Sequence, residues 1–178
     1  MRRRRRPATW LAVALLAAAI FGAGAYERAS GPSAGDQSAS SAIDTVVRVV
    51  DGDTVVLRSA GRSRLIGVDT PEVFGRRECF GAEASQFAKR TLRPGLRVGV
   101  ERDAEPHDRY GRSLVYLTLP DGRSFNELLV GKGLAVPLTI APNVRYAERF
   151  RELADRARDV REGLWSPDTC DGDGDRAR

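Results

Sequence analysis

Between residues 42 and 119 the chain alternates short apolar runs of β type with turn signals. Residues 45–50 and 54–57 are rich in β-branched side chains, and Asp51-Gly52 between them is a turn signal. Ala60-Gly61 marks a second turn ahead of residues 62–68, so the pattern predicts a three-stranded meander. Pro71 ends it, because proline has no N–H to give to a strand ladder. Residues 82–92 carry helical spacing, with Ala84, Phe87, Ala88 and Thr91 on one face and Pro94-Gly95 as a stop. Strand character returns at 96–102 and 113–119. After the Asp121-Gly122 turn, Phe125, Leu128 and Leu129 predict a short helix before Gly133. The clearest periodicity comes last: Tyr146, Phe150, Leu153, Ala157 and Val160 recur at spacings of four and three. Pro142-Asn143 suits the cap of that helix. Five short strands and three helices in this order predict an α+β fold whose strands close into a small barrel, with an OB-fold the natural candidate.

Upstream of the strands the pattern changes. Arg2 to Arg6 form a cationic block, and residues 7–25 hold no charge and end in Ala23-Gly24-Ala25. That is the arrangement of a secretory signal peptide. The run is also about as long as the ~17–25 residues that cross a bilayer, so an uncleaved anchor fits it too. Either way the protein is expected to be secreted or held to a membrane on its outer side. Residues 26–41, rich in Ser, Ala and Gly, are expected to form a flexible linker. Residues 42–167 are then expected to form one domain, and residues 168–178 a disordered acidic tail.

The N-terminal segment alters the charge argument. The chain has 29 basic and 24 acidic residues, but residues 1–25 contain five arginines and no acid, which leaves the remainder at 24 against 24. Net charge therefore does not argue for a nucleic-acid function; locally placed arginines must. Two cysteines, Cys79 and Cys170, would lie on the exported side, where a disulfide forms readily, although a pair of unpaired thiols fits the sequence as well. Their spacing excludes a cysteine metal site. A single histidine, His107, leaves nothing for multi-histidine metal chemistry and sits in a polar stretch that reads as a solvated loop.

Carboxylates and arginines carry the remaining candidate chemistry. Asp51-Gly52-Asp53 joins the first two strands, and Asp69-Thr70-Pro71-Glu72 ends the third. Strand-end carboxylates of a meander can converge on one rim, and hard oxygen ligands of this kind suit Ca²⁺, or Mg²⁺ if the geometry is stricter. Arg64 lies inside the third strand and Arg112 at the entry to another. Guanidinium groups bind phosphate bidentately and stay charged.

Four segments resemble the successive motifs of the thermonuclease (staphylococcal nuclease) family. They are Val-Asp-Gly-Asp-Thr-Val at 50–55, Arg-Leu-Ile-Gly-Val-Asp-Thr-Pro-Glu at 64–72, Gly-Ala-Glu-Ala-Ser at 81–85 and Asp-Arg-Tyr-Gly-Arg at 108–112. Phe-Asn-Glu-Leu-Leu at 125–129 and Gly-Leu-Trp-Ser at 163–166 resemble its C-terminal blocks. The resemblance implies an OB-fold nuclease that hydrolyses DNA and RNA with Ca²⁺ and leaves 3′-phosphates. It implies Asp53, Asp69 and the Thr70 carbonyl as Ca²⁺ ligands, with Asp51 supporting them. It implies Arg64 and Arg112 as phosphate-binding arginines, Glu72 as general base or water-positioner, and Arg109 and Tyr110 at the nucleotide pocket. Leu138 and Ile140 depart from it, falling where well-known members carry pocket tyrosines. Cys79, beside Glu72, is another departure and would staple that loop to the tail if it pairs with Cys170. Nothing in the sequence calls for more than a monomer. The rival reading is an OB module that binds nucleic acid without cleaving it, which would have no need of Glu72.

Overall fold

A computed structural model describes residues 42–75 and 78–170. The expected signal segment, the linker and the tail beyond Cys170 lie outside the described residues. Strands β1 (Ala42–Val49), β2 (Thr54–Leu57), β3 (Gly61–Leu65), β5 (Arg97–Glu101) and β6 (Ser113–Thr118) close into a barrel in the order β1-β2-β3-β6-β5. All pairings are antiparallel except β3 with β6. Helices α1 (Gly81–Thr91), α2 (Phe125–Gly131) and α3 (Ala147–Asp159) complete an α+β OB-fold. Inward residues of the alternating strands, among them Val46, Val55, Leu57, Leu65, Val98, Val115 and Leu117, fill the barrel, and Ala84, Ala88, Phe125 and Leu129 of the helices join them.

The third expected strand, 62–68, divides. Gly67 takes φ +78°, and a Cβ there would sit 2.2 Å from the Phe150 ring of α3, so only glycine lets the chain turn under that helix. Beyond the break, β4 (Gly67–Asp69) leaves the barrel and pairs antiparallel with β7 (Val136–Leu138), a strand absent from the expected set. The β7 strand is only three residues long and contains Pro137, which hides it from any alternation rule.

Helix α3 begins at Ala147, not at Pro142-Asn143. Asn143 instead is buried and clasps the loop after β5, with its side chain bonded to both the N–H and the C=O of Glu105. Val160, assigned to the buried face of the helix, lies just past its end and is exposed. Asn126 of α2 is fully buried and ties helix to barrel: Leu117 N–H donates to it, and it donates to the Ile66 carbonyl. Asp168, Thr169 and Cys170 fold back on the 3₁₀ turn at Gly163–Trp165 through Thr169.

Candidate active site

The ladder register itself brings the candidate residues together. Arg64 in β3 pairs with Thr54 of β2 on one side and Leu114 of β6 on the other. Asp53 precedes Thr54 and Arg112 lies two residues before Leu114, so Asp53, Arg64 and Arg112 arrive at the same rim. Asp69, the last residue of β4, reaches that rim because β4 turns away at Gly67 and is held by β7.

Arg64 organises the acidic side. Its Nε lies 3.1 Å from Asp53 Oδ1 and its Nη2 lies 2.9 Å from Asp69 Oδ1. Its Nη1 donates to the backbone carbonyls of Leu65 and Val68 at 2.9 and 2.7 Å, which fixes the plane of the guanidinium. The other oxygen of the buried Asp53 accepts from both the N–H and the hydroxyl of Thr70, each at 2.9 Å. Close approach of the two loops requires Gly52, since a Cβ there would meet Thr70 Oγ1 at 2.5 Å. Asp51 Oδ1 accepts from the N–H of Asp53 and Thr54 at 3.2 and 2.7 Å and so shapes the turn that presents Asp53.

Arg112 is held from the opposite side of the rim. Its Nε donates to Asp108 Oδ2 at 2.6 Å, while Asp108 Oδ1 accepts from the N–H of Tyr110 and of Arg112, both at 2.9 Å. Burial alone would raise the Asp108 carboxyl, but these donors outweigh it and hold it below the ordinary carboxylate range. Tyr110 is 68% exposed and its ring is flanked by Arg109 at 4.8 Å and Arg112 at 5.6 Å. Between the two arginine positions opens a cleft of about 500 Å³, lined by Arg64, Arg112, Arg109, Tyr110, Leu114 and Leu138. Ile140 also lines it, so both departures from the family pattern stand in the cleft wall.

Glu72 lies on the acidic side, exposed, in the loop leading to α1. Partial burial raises its carboxyl above the usual value, and the charges of Asp53, Asp51, Glu78 and Asp69 raise it further. Asp51 is raised too, first by burial and then by Asp53. Asp53 and Asp69 both bond the Arg64 guanidinium. No group of three or more His, Cys, Asp or Glu side chains among the described residues is spaced to hold a metal by side chains alone. Asp53 and Asp69, with the Thr70 carbonyl next in the chain, nevertheless supply hard oxygen donors of the kind that could hold a divalent cation together with water.

Several contributors carried no role in the sequence reading. Asp108 is the mount of Arg112; its position four residues before the arginine, with Gly111 between them, was the available signal. Glu78, whose carboxylate accepts from the Glu72 N–H at 2.9 Å, had no local signal at all, and Asn143, expected only as a helix cap, holds the cleft-lining Glu105. His107 is exposed and outside the constellation.

A closed OB barrel with carboxylates, two arginines and an open cleft at one rim defines an OB-fold nuclease by fold and site together. Comparison with known proteins agrees. The family model described as "Staphylococcal nuclease homologue" matches residues 62–167. The thermonuclease of Staphylococcus hyicus is 39% identical over 145 residues, which is 77% of this chain and 85% of that protein. The thermonuclease of Staphylococcus intermedius is 39% identical over 126 residues, 67% of this chain and 74% of that one. Endonuclease YncB of Bacillus subtilis (strain 168) is 34% identical over 130 residues, 68% and 61% of the two chains. The chain belongs to the staphylococcal nuclease family. It is a nuclease, a hydrolase.

Proposed function

We propose that this nuclease is exported and, with Ca²⁺ bound, hydrolyses DNA and RNA by breaking the 5′-oxygen to phosphorus bond, leaving 3′-phosphates. One observation carries the reading: Arg64 and Arg112 open on the same cleft, and Arg64 also touches both carboxylates suited to the cation. Asp53, Asp69 and the Thr70 carbonyl are the cation's ligands in this reading, and Asp51 keeps the turn that presents Asp53. Bound calcium would supply positive charge to the scissile phosphate as it becomes a dianionic pentacovalent species.

The chain's own groups do the rest. Arg64 and Arg112 grip non-bridging phosphate oxygens, and their mounts at Asp53, Asp69 and Asp108 keep them in place without reorganisation during reaction. Glu72 accepts the proton of an attacking water. Its raised carboxyl makes it a stronger base than an ordinary glutamate. Tyr110 offers a face to the nucleotide and Arg109 a charge to the neighbouring backbone. Leu138 and Ile140 in the wall offer no aromatic face at those two positions, where stacking is worth about 1–3 kcal/mol per base, so nucleotide is held more loosely than tyrosines there would hold it. Export rests on the arginine block, the uncharged run after it and the Cys79–Cys170 bond.

An activity gel containing DNA or RNA tests the reading. Clearing is expected with Ca²⁺ and absent with excess chelator, and the product ends should resist polymerase extension until phosphatase is added. Clearing under chelation contradicts the cation's role, and directly extendable ends contradict the bond assignment. Cell fractionation should place the protein in the medium or on the outer membrane face; a cytoplasmic pool alone contradicts export.

A further inference from the structure

The loop carrying Glu72 is closed on itself. Glu72 N–H donates to the Glu78 carboxylate at 2.9 Å, and Glu78 N–H donates back to the Glu72 carbonyl at 3.0 Å. Gly81 N–H then donates to the Glu78 carbonyl at 3.3 Å where α1 begins. These bonds are local, and Glu72 and Cys79 are both exposed. Water competes for such bonds, so they restrain the loop weakly.

One covalent restraint comes from outside. Cys79, the residue after Glu78, is joined by a disulfide to Cys170, 91 residues away, with Cα atoms 5.7 Å apart. The far end is anchored: Cys170 and Phe80 pack against a small apolar cluster of Val136, Ala157, Leu164 and Trp165, and Thr169 is bonded to the 3₁₀ turn beneath. Val136 belongs to β7, which also holds the strand ending in Asp69. The disulfide thus references the Glu72 loop to the same framework that sets a candidate cation ligand.

We infer that Cys79 and Cys170 are positioning residues for Glu72, and that their disulfide is a redox gate: full turnover appears only after the bond has formed. The inference rests on the assignment of Glu72 as the proton acceptor. It follows from the separation of parts. Asp53, Arg64, Asp108 and Arg112 are mounted on barrel strands and their loops, Asp69 is held by β7 and Thr70 by Asp53, and none of them lies between Glu72 and Cys79, so reduction leaves substrate and cation binding intact while Glu72 loses its fixed position. A 1 Å misplacement of a reacting group is enough to cost about a hundredfold in rate. In a cell, the gate would hold the chain at low activity in the reducing cytoplasm and release it on the oxidising side.

The chemistry is ordinary thiol–disulfide exchange. One thiolate of a dithiol attacks a sulfur of the Cys79–Cys170 bond, giving a mixed disulfide and one free cysteine. The second thiolate closes the reagent's own disulfide and releases the other cysteine, so two electrons and two protons end on the protein. The exposure of Cys79 makes the bond accessible to the reagent.

The test compares oxidised protein, protein reduced with dithiothreitol, and the Cys79→Ala/Cys170→Ala variant, with DNA and saturating Ca²⁺, at a temperature where circular dichroism shows all three folded. The expected result is a fall in kcat of tenfold or more on reduction and in the variant, with KM unchanged within about twofold, restored by reoxidation only where both cysteines are present. Glu72→Gln should be slow in either redox state, with no further loss on reduction. Equal kcat in oxidised and reduced forms overturns the gate, as does a reduced form that no longer folds at any temperature or a loss seen mainly in KM. An active Glu72→Gln variant overturns the assignment of Glu72 instead, so the two failures are told apart.

Discussion

Arg64 serves two partners whose demands differ: it neutralises Asp53 and Asp69, and it is proposed to bind the substrate phosphate. Arg112 has a single mount, Asp108, and is the cleaner probe. Arg112→Ala should lower kcat on DNA by about 10²–10³-fold, the scale of losing one oxyanion donor, with the fold unchanged by circular dichroism; an unchanged rate refutes its role. Away from the site, Asp44 offers a pH test of the barrel. Burial by itself raises its carboxyl, yet the N–H groups of Ala60, Thr45 and Ser59 outweigh this and hold it below the ordinary value. A depressed folded value means its stabilisation is full above the unfolded pKa of about 3.9 and disappears as pH falls through the folded value. Urea unfolding should therefore find Asp44→Asn less stable by about 1–3 kcal/mol at pH 7, with the gap closing as pH falls below the ordinary carboxylate range. Among single residues, the motif-bearing ones were legible because turn chemistry and motif order marked them. Their supports were not. Nothing in the pattern says that Glu78 accepts from Glu72, a bond set by how one irregular loop folds back, or that Asn143 clasps Glu105, a contact that exists only once distant loops meet.

At the level of elements, alternation and helical spacing located the barrel strands and all three helices, because each buries one face against a common core. The reading failed where tertiary contacts decide. Residues 62–68 look like one strand, but Phe150 arrives over Gly67 and divides it, and α3 starts later than its proline suggests because Asn143 is used elsewhere. The division matters to function, since β4 could not deliver Asp69 to the rim if the strand ran straight. Gly67→Ala adds a methyl to an occupied space at a positive φ. It should destabilise the protein by at least about 2 kcal/mol, combining overpacking with backbone strain. It should also reduce calcium affinity more than does Val98→Ala, a change at a fully buried position remote from the rim. Thermal unfolding and calcium titration of the two variants decide this, and equal calcium affinities would remove β4 from the account.

For the molecule as a whole, the disulfide closes most of the described domain into one loop. Linking residues 91 apart removes unfolded-state entropy worth about 4–5 kcal/mol on the chain-entropy model. Denaturant unfolding with and without reductant should show a loss of that order, and a difference under about 1 kcal/mol would mean that the reduced chain remains constrained by other means. Balanced charge outside the N-terminal segment also has a consequence at this scale. Steering of nucleic acid depends on the local field of the cleft arginines, so association should weaken with salt only as steeply as a few phosphate contacts require.

All three scales meet at one corner, where two aspartates and two arginines flank a single cleft. The most direct test is the rate of DNA hydrolysis as a function of free Ca²⁺ for the wild type, Asp53→Asn and Asp69→Asn. The account predicts strict calcium dependence in the wild type and a shift of half-maximal activity to at least tenfold higher calcium in both variants. Hydrolysis that persists in excess chelator, or variants whose calcium dependence coincides with that of the wild type, would contradict it.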